Sequence, residues 1–346
     1  MQPASTKLDT RWYYERVPSP ARVAAFDILM RVEKGAYASE LLLHGLKSLD
    51  SRDAGLAEEI VFGVLRRRAQ LDFLALQQVR RGLTALDPEV LIALRLGLYQ
   101  LRHLDRVPAH AAVDESVELV KRARKRSAAG LVNAVLRKSS RGEVDWPSRD
   151  IALSMPAWLL DRWDRQFGSD VATGIASTFL EIPEIYLRNP PPDAPLELES
   201  TDVSGAFRVL SGSPAGLRIQ DVGSQAVVPL LELSAGQSFL DLCAAPGNKT
   251  SQALESGVAA IACDRHLHRL RFVSGCPRVV LDAAEPLPFR GDFDRILVDA
   301  PCSGTGTLGR NPEIRWKLQP ADIVELHAKQ VRILTEALRA LRPGGR

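Results

Sequence analysis

Cysteine is scarce in this 346-residue chain: Cys243, Cys263, Cys276 and Cys302 are all there is, and no two form a Cys-x-x-Cys pair. Zinc sites and disulfide frameworks draw on paired or regularly spaced cysteines, so neither is expected, and no metal ligand is assigned. No apolar run approaches the length of a membrane span, and the amino terminus lacks the pattern of a secretory signal. A cytoplasmic location without a membrane partner is the expectation. Net charge is also sparse. Lys and Arg number 45 and Asp and Glu 42, leaving +3, so an anionic partner would have to be read by clustered charge and not by the overall balance. What remains is ordinary: 45% hydrophobic and 25% charged residues, in a chain long enough for two or three domains with their own cores.

Glycine is missing where two nucleotide-binding loops require it. The stretch Ser238–Ser251, SFLDLCAAPGNKTS, reads as a buried strand, a small-residue loop and a helix entered at about Asn248. A phosphate-cradling loop needs glycine directly before the Lys249-Thr250 pair and again five residues earlier, where this chain has Asn248 and Cys243. A dinucleotide fingerprint needs three spaced glycines and finds only Gly247, which also disfavours a nicotinamide dehydrogenase. A cofactor without a pyrophosphate fits better. S-adenosylmethionine is such a molecule, and Ala244, Ala245 and Gly247 leave room for backbone to close on its amino-acid end.

Three later apolar runs each end on an aspartate: Ala259–Cys263 before Asp264, Val279–Leu281 before Asp282, and Arg295–Val298 before Asp299. In a parallel sheet such ends share one edge, where ligands bind. Asp264 is placed to accept from ribose hydroxyls and Asp282 to meet an adenine amino group. The plainer alternative is that each aspartate caps a helix or starts a turn.

The amino-terminal half is helical in pattern. Residues 1–16 read as a flexible arm. A first helix carries Val23, Phe26, Ile28, Leu29 and Val32 and stops near Gly35; a second region runs from Asp53 to about Val79 with Ile60, Val64, Leu71 and Leu74 apolar. Asp87-Pro88 opens a third helix bearing Leu91, Leu94, Leu98 and Leu101. Pro108 opens a fourth with Val113, Val117 and Val120, and Gly130–Lys138 holds a fifth. Basic runs at Arg66–Arg68, Arg80-Arg81, Lys121–Arg126 and Arg137-Lys138 suggest contact with nucleic-acid phosphates, against the plainer reading of solvated helix faces. The segment 139–156 is polar and reads as a linker. Trp158, Leu159, Trp163 and Phe167 mark a short amphipathic helix, Ile185–Asn189 a strand, Ala226 to about Leu233 an apolar helix, and residues 193–216 give no assignment. A last helix, Glu325–Leu341, is read with Leu326, Val331, Leu334 and Leu338 on its apolar side.

The phrases LRLGLYQL, VPAHAAVDESVEL and GLVNAVLR within Leu91–Lys138 resemble the RNA-binding NusB-like domain, in the version fused to the RsmB (Sun) family of 16S rRNA cytosine-5 methyltransferases. CAAPGNKT and DAPCSGTG resemble that family's catalytic domain. The resemblance implies a multidomain architecture: a NusB-like all-α domain over 17–140, a linker over 141–156, a small α/β subdomain over 157–225, and an α/β Rossmann-like methyltransferase domain over 226–346. It implies that Cys243, Ala244, Ala245, Pro246, Gly247, Asn248 and Lys249 hold the methionine portion of S-adenosylmethionine, with Asn248 replacing a second glycine. Asp264, Asp282 and Asp299 would then contact the ribose, the adenine and the reacting end.

Carbon 5 of a cytosine is a poor nucleophile. A thiolate adding to carbon 6 makes an enamine that can attack a methyl donor, and such a cycle needs a cysteine in the cleft. By position Cys302 qualifies, the alternative being a buried inert thiol. The resemblance gives Cys302 a different part, assisting release of the product, and puts the nucleophile in a Thr-Cys motif on a following strand. That strand is expected beyond Arg346, so a carboxyl-terminally truncated chain inactive in methyl transfer is the expectation. Arg310, Arg315 and Lys317, just after the cysteine loop, are expected to grip RNA phosphates, whereas Trp316 is expected to pack in a core. The expected substrate is 16S rRNA with its target base out of the stack, and the expected chain is a monomer. The rival reading is a non-catalytic RNA-binding protein with a vestigial methyltransferase scaffold.

Overall fold

The computed structural model describes residues 17–79, 82–139 and 142–346; the expected arm over 1–16 and the Arg80-Arg81 pair lie outside them. The chain divides into two units. One comprises the amino-terminal part through Ile182 together with Thr305–Lys317, and the other Pro183–Gly304 with Leu318–Arg346.

The first unit is all helical: α1 (Pro20–Glu33), α2 (Ala38–Gly45), α3 (Ser51–Arg66), α4 (Arg68–Leu76), α5 (Pro88–His103), α6 (Ala109–Arg122), α7 (Ala129–Lys138), the single turn α8 (Arg149–Ala152), α9 (Ala157–Phe167) and α10 (Ser169–Thr178). α5 is apolar almost all round, with Val90, Ile92–Leu94, Leu96, Leu98, Tyr99 and Leu101 buried, so it takes the centre. Gly97 makes that possible, since a Cβ there would lie 2.5 Å from Leu136 and 2.8 Å from Ser116 Oγ. The expected helix from Asp53 to Val79 is broken at Arg67 into α3 and α4, and α2 was not expected at all. The expected linker over 141–156 ends inside the core: Leu153, Ser154 and Met155 are buried, and Leu153 and Met155 pack with Leu159, Leu160 and Trp163 of α9.

The second unit holds two sheets. β1 (Tyr186–Arg188), β2 (Glu197–Ser200) and β3 (Ala206–Ser211) form an antiparallel sheet in the order β1-β3-β2. β2 and β3 fall in the stretch that sequence left unassigned. The helix α11 (Val222–Val227) leads through a 3-10 turn at Val228–Leu231 to a parallel sheet of β4 (Ser238–Asp241), β5 (Ala259–Asp264), β6 (Arg278–Val280) and β7 (Arg295–Leu297), in the order β6-β5-β4-β7. Between the strands lie α12 (Asn248–Leu254) and α13 (Leu267–Leu270); after β7 come the single turn α14 (Ile314–Lys317), which belongs to the first unit, and the final α15 (Pro320–Ala340).

Period-two alternation places the sheet between two layers. Phe239 packs with Ala253 of α12, while Leu240 packs with Ile333, Ala337 and Ala340 of α15. The apolar side expected for α15 is therefore corrected. Val331, Leu334 and Leu338 are at least half exposed, and the buried side is built from one isoleucine and two alanines. No helix among the described residues is long and apolar enough to cross a membrane.

Candidate active site

Four parallel strands deliver their carboxyl ends to one edge, and β4, next to the centre, carries the small-residue loop. Gly247, with φ +112°, turns that loop into α12; a Cβ would sit 3.2 Å from the Val273 backbone and 3.1 Å from its side chain, so neither the conformation nor the space suits a larger residue. Hydrogen bonds tie the strand ends together. Asp264 Oδ2, at the end of β5, accepts from Ala245 N at 3.2 Å, and Oδ1 accepts from His266 N at 2.8 Å. Lys249 Nζ reaches Asp299 Oδ2, beyond β7, at 2.6 Å. Asp282 Oδ1 accepts from Ala284 N at 3.0 Å, and its Oδ2 lies 3.7 Å from Arg265. Asp264 and Asp282 thus do serve local turns, as the plainer reading held, while Asp264 and Asp299 join neighbouring strand ends.

Ser224, Asp241, Cys243–Pro246, Asn248, Lys249 and Asp299 line a cleft of about 120 Å³ at this edge. Sequence reasoning passed over Asp241, although it ends β4 as Asp264 ends β5. It is 1% exposed and accepts from Thr250 Oγ1 at 2.7 Å, while its Oδ1 has no hydrogen-bond partner among the described residues. Burial pushes its pKa up to about 7, with the Asp299 carboxylate adding to the rise, against the lowering effects of the Thr250 bond, the Cys243 main-chain amide and Lys249. Asn248, the departure from a second glycine, fastens the loop from behind: its Nδ2 donates to Ile219 O and its own carbonyl accepts from Arg218 Nη2 at 2.7 Å.

The cysteines differ in reactivity. Burial, reinforced by nearby carboxylates, pushes the thiols of Cys243 and Cys263 up to about 12, and burial also raises Cys276. These three stay protonated near neutral pH. Cys302, three residues past Asp299, is the exposed one, and the Pro301 carbonyl beside it is held by Gln330 Nε2 of α15 at 2.8 Å.

The residues expected to grip RNA behave otherwise. Arg315 is fully buried in the first unit, where its Nη atoms donate to the carbonyls of Ser154 (3.0 Å), Phe179 (3.2 Å) and Leu308 (3.2 Å). Burial, with Arg66 nearby, lowers its pKa to about 9. Lys317 donates to the carbonyls of Gly35 and Ala36 and lies 4.3 Å from the centre of the Tyr37 ring. Arg315, with no exposed surface, has nothing to offer RNA, which corrects the expectation for it. Arg310 is half-buried in the same unit. Trp316 packs as expected, donating to Leu65 O at 3.0 Å. The run Arg66–Arg68 also turns inward: Arg66 is buried with its Nε toward Gly309 O, and Arg68 pairs with Glu33.

A helical unit followed by a parallel sheet with a small-residue loop at its carboxyl edge defines the class of Rossmann-like methyltransferases carrying a NusB-type domain. Comparison with known proteins agrees. Residues 19–141 match the NusB family, and residues 228–346 match the family described as 16S rRNA methyltransferase RsmB/F. The chain is 34% identical to ribosomal RNA small subunit methyltransferase B of Erwinia tasmaniensis, over 93% of this chain and 84% of that protein. It is 30% identical to the probable ribosomal RNA small subunit methyltransferase B of Bacillus subtilis, over 94% and 83%. The crystal structure of PH0851 superposes with a TM-score of 0.77 at 18% identity, covering 95% of this chain and 85% of that one, a likeness of fold. The chain belongs to the ribosomal RNA small subunit methyltransferase B family.

Proposed function

We propose that the second unit binds S-adenosylmethionine and serves methylation of carbon 5 of a cytosine in small-subunit rRNA. The observation that carries this reading is the cleft itself. The ends of β4 and β7 line one pocket and the end of β5 is bonded to its loop; a buried, half-satisfied carboxyl is part of the lining, and an exposed cysteine follows three residues after Asp299.

The residues fit the cofactor. Loop 243–249 is narrow enough for backbone to meet its amino-acid end, Asp241 Oδ1 is an unused polar atom at the cleft, and Lys249 holds Asp299 at the reacting end. A carboxylate has about four lone-pair sites, so Asp264, with two used by main-chain amides, keeps capacity for ribose hydroxyls; Asp282 is assigned to the adenine. When bound, S-adenosylmethionine supplies an electrophilic methyl group. The chain's part is to bind, to orient and to manage thiols. Cysteine addition to carbon 6 of the base is the step that makes carbon 5 nucleophilic, and the family resemblance assigns Cys302 to freeing the methylated base from that adduct. Its exposure suits that work, whereas the protonated, shielded thiols of Cys243 and Cys263 do not.

Calorimetry with S-adenosylmethionine tests the reading directly. Asp264→Ala is expected to weaken binding by about 1–3 kcal/mol, and unchanged affinity removes Asp264 from the ribose. Digestion of undermodified small-subunit rRNA after incubation with methyl-labelled cofactor checks the base. Label in a nucleoside other than 5-methylcytidine contradicts the assignment, and label in 5-methylcytidine overturns the expectation that this chain is inactive in methyl transfer.

A further inference from the structure

The segment after β5 does not line the cofactor cleft, yet it is the most concentrated cationic stretch in the second unit. Three of the seven residues Arg265–Arg271 are arginine, two more are histidine, and Phe272 follows. Both ends of the segment are fastened to the cleft loop. Asp264 accepts from Ala245 N before it, and Val273, after it, packs on Gly247. In the middle, Arg269 Nη2 donates to Ala245 O at 3.2 Å. Leu270 and Val273, each 1% exposed, anchor it in a small core with Ala244 and Ala262. With those two inward, Arg265, His266, His268, Arg269 and Arg271 are all exposed, and so are Leu267 (54%) and Phe272 (71%).

Charge decides what this surface fits. In the helical unit the cations that sequence had marked for nucleic acid are largely answered internally: Arg122 by Asp27, Lys125 by Asp87, Lys121 by Glu118. Beside the cleft, Arg269 and Arg271 have no carboxylate within ion-pair distance among the described residues, and Arg265 has only Asp282 at 3.7 Å. Crowded like charges left unanswered are costly without an anionic partner. An aromatic ring standing in solvent among them adds a flat surface on which a base can stack.

We propose that Arg265–Phe272 is a binding strip for the single-stranded RNA that flanks the target nucleotide, with the arginines on phosphates and Phe272 under a base. The strip rests on the methyltransferase reading for its place beside the reacting base. Because both ends of the strip are fixed to the loop 243–249, the strand it holds lies along the rim of the cofactor cleft.

The test uses the full chain, a fluorescein-labelled oligocytidylate read by anisotropy at several salt concentrations, and calorimetry with S-adenosylmethionine. Arg271→Glu/Phe272→Ser is expected to weaken RNA binding by about tenfold or more and to flatten the salt dependence of log K by about 0.7 for each phosphate no longer neutralised, with cofactor affinity unchanged. Unaltered RNA affinity and slope overturn the proposal. If this variant loses cofactor affinity as well, Arg265→Gln/His268→Gln decides, because it keeps Arg269, Leu270 and Val273. Loss of RNA binding with cofactor binding intact sustains the strip, and joint loss or no loss ends it. A wild-type chain that binds no S-adenosylmethionine sinks the methyltransferase reading whatever the RNA result.

Discussion

Arg315 shows how far a side chain's destination depends on what the fold offers it. Its guanidinium lies where carbonyls converge: Arg66 closes α3, Ser154 follows α8, and Phe179 is the C-cap of α10. Carbonyls at helix ends lack intrahelical donors, and a fixed cation there satisfies several at once. Arg315→Met is expected to lower unfolding free energy by about 1–3 kcal/mol for each buried acceptor it strands. Arg315→Lys should recover little, since one ammonium cannot spread over the same oxygens. Urea denaturation followed by tryptophan fluorescence checks both; a loss below 1 kcal/mol, about that of a single ordinary hydrogen bond, contradicts the capping role. Asp241 yields a pH prediction. Its pKa is about 7 when folded and about 3.9 when unfolded, so the folded chain holds the proton more tightly. The stability this group contributes is greatest below the unfolded value and drains away as pH rises toward about 7, above which both states are ionised and the full cost of the buried charge stands. Relative to Asp241→Asn, the wild type should lose urea resistance between about pH 4 and about pH 7. Parallel profiles for the two proteins would remove the buried proton.

At the scale of elements, α15 separates what a pattern can and cannot tell. Ile333→Ala should cost about 2–4 kcal/mol through a cavity against Leu240, whereas Leu338→Ser, on the exposed side, should cost within about 0.5 kcal/mol. Denaturation midpoints decide, and a reversed order would restore the face expected from sequence. That expectation failed because large residues dominate a hydrophobic pattern. Ala337 and Ala340 carry little of it, yet their size is what lets the helix approach the sheet. β2 and β3 were illegible for a related reason: a sheet with Glu197, Glu199 and Arg208 outward shows no apolar alternation. By contrast β4, β5 and β7 were legible, being short buried runs cut off by polar residues, and α1, α5, α6 and α7 kept a clean helical period. The loop after β4 was legible because its glycine and alanines have a steric reason. Asp241 was not, because nothing in a strand-final aspartate announces whether it will be buried.

Over the whole molecule, the chain is not cut into units where composition changes. The basic segment Thr305–Lys317 follows the cysteine loop in sequence and yet completes the helical unit. There Leu308 joins the core of Leu153, Leu159 and Trp163, Glu313 Oε1 accepts from Ala38 N at 2.8 Å, and Arg315 caps three helix ends. Such an arrangement makes the amino-terminal unit dependent on a stretch encoded more than a hundred residues downstream, which no local reading of 17–140 as a self-sufficient domain would suggest. A fragment covering 17–182 should therefore be less stable than the same unit in the full chain, and a synthetic peptide with the sequence 305–317 should raise its thermal midpoint. The rise should grow with peptide concentration, as linkage requires of anything that binds only the folded state. The same peptide carrying Arg315→Met should fail to do so. Calorimetric melting of the fragment with each peptide makes the measurement, and a fragment indifferent to both would mean that the helical core closes without its distant segment.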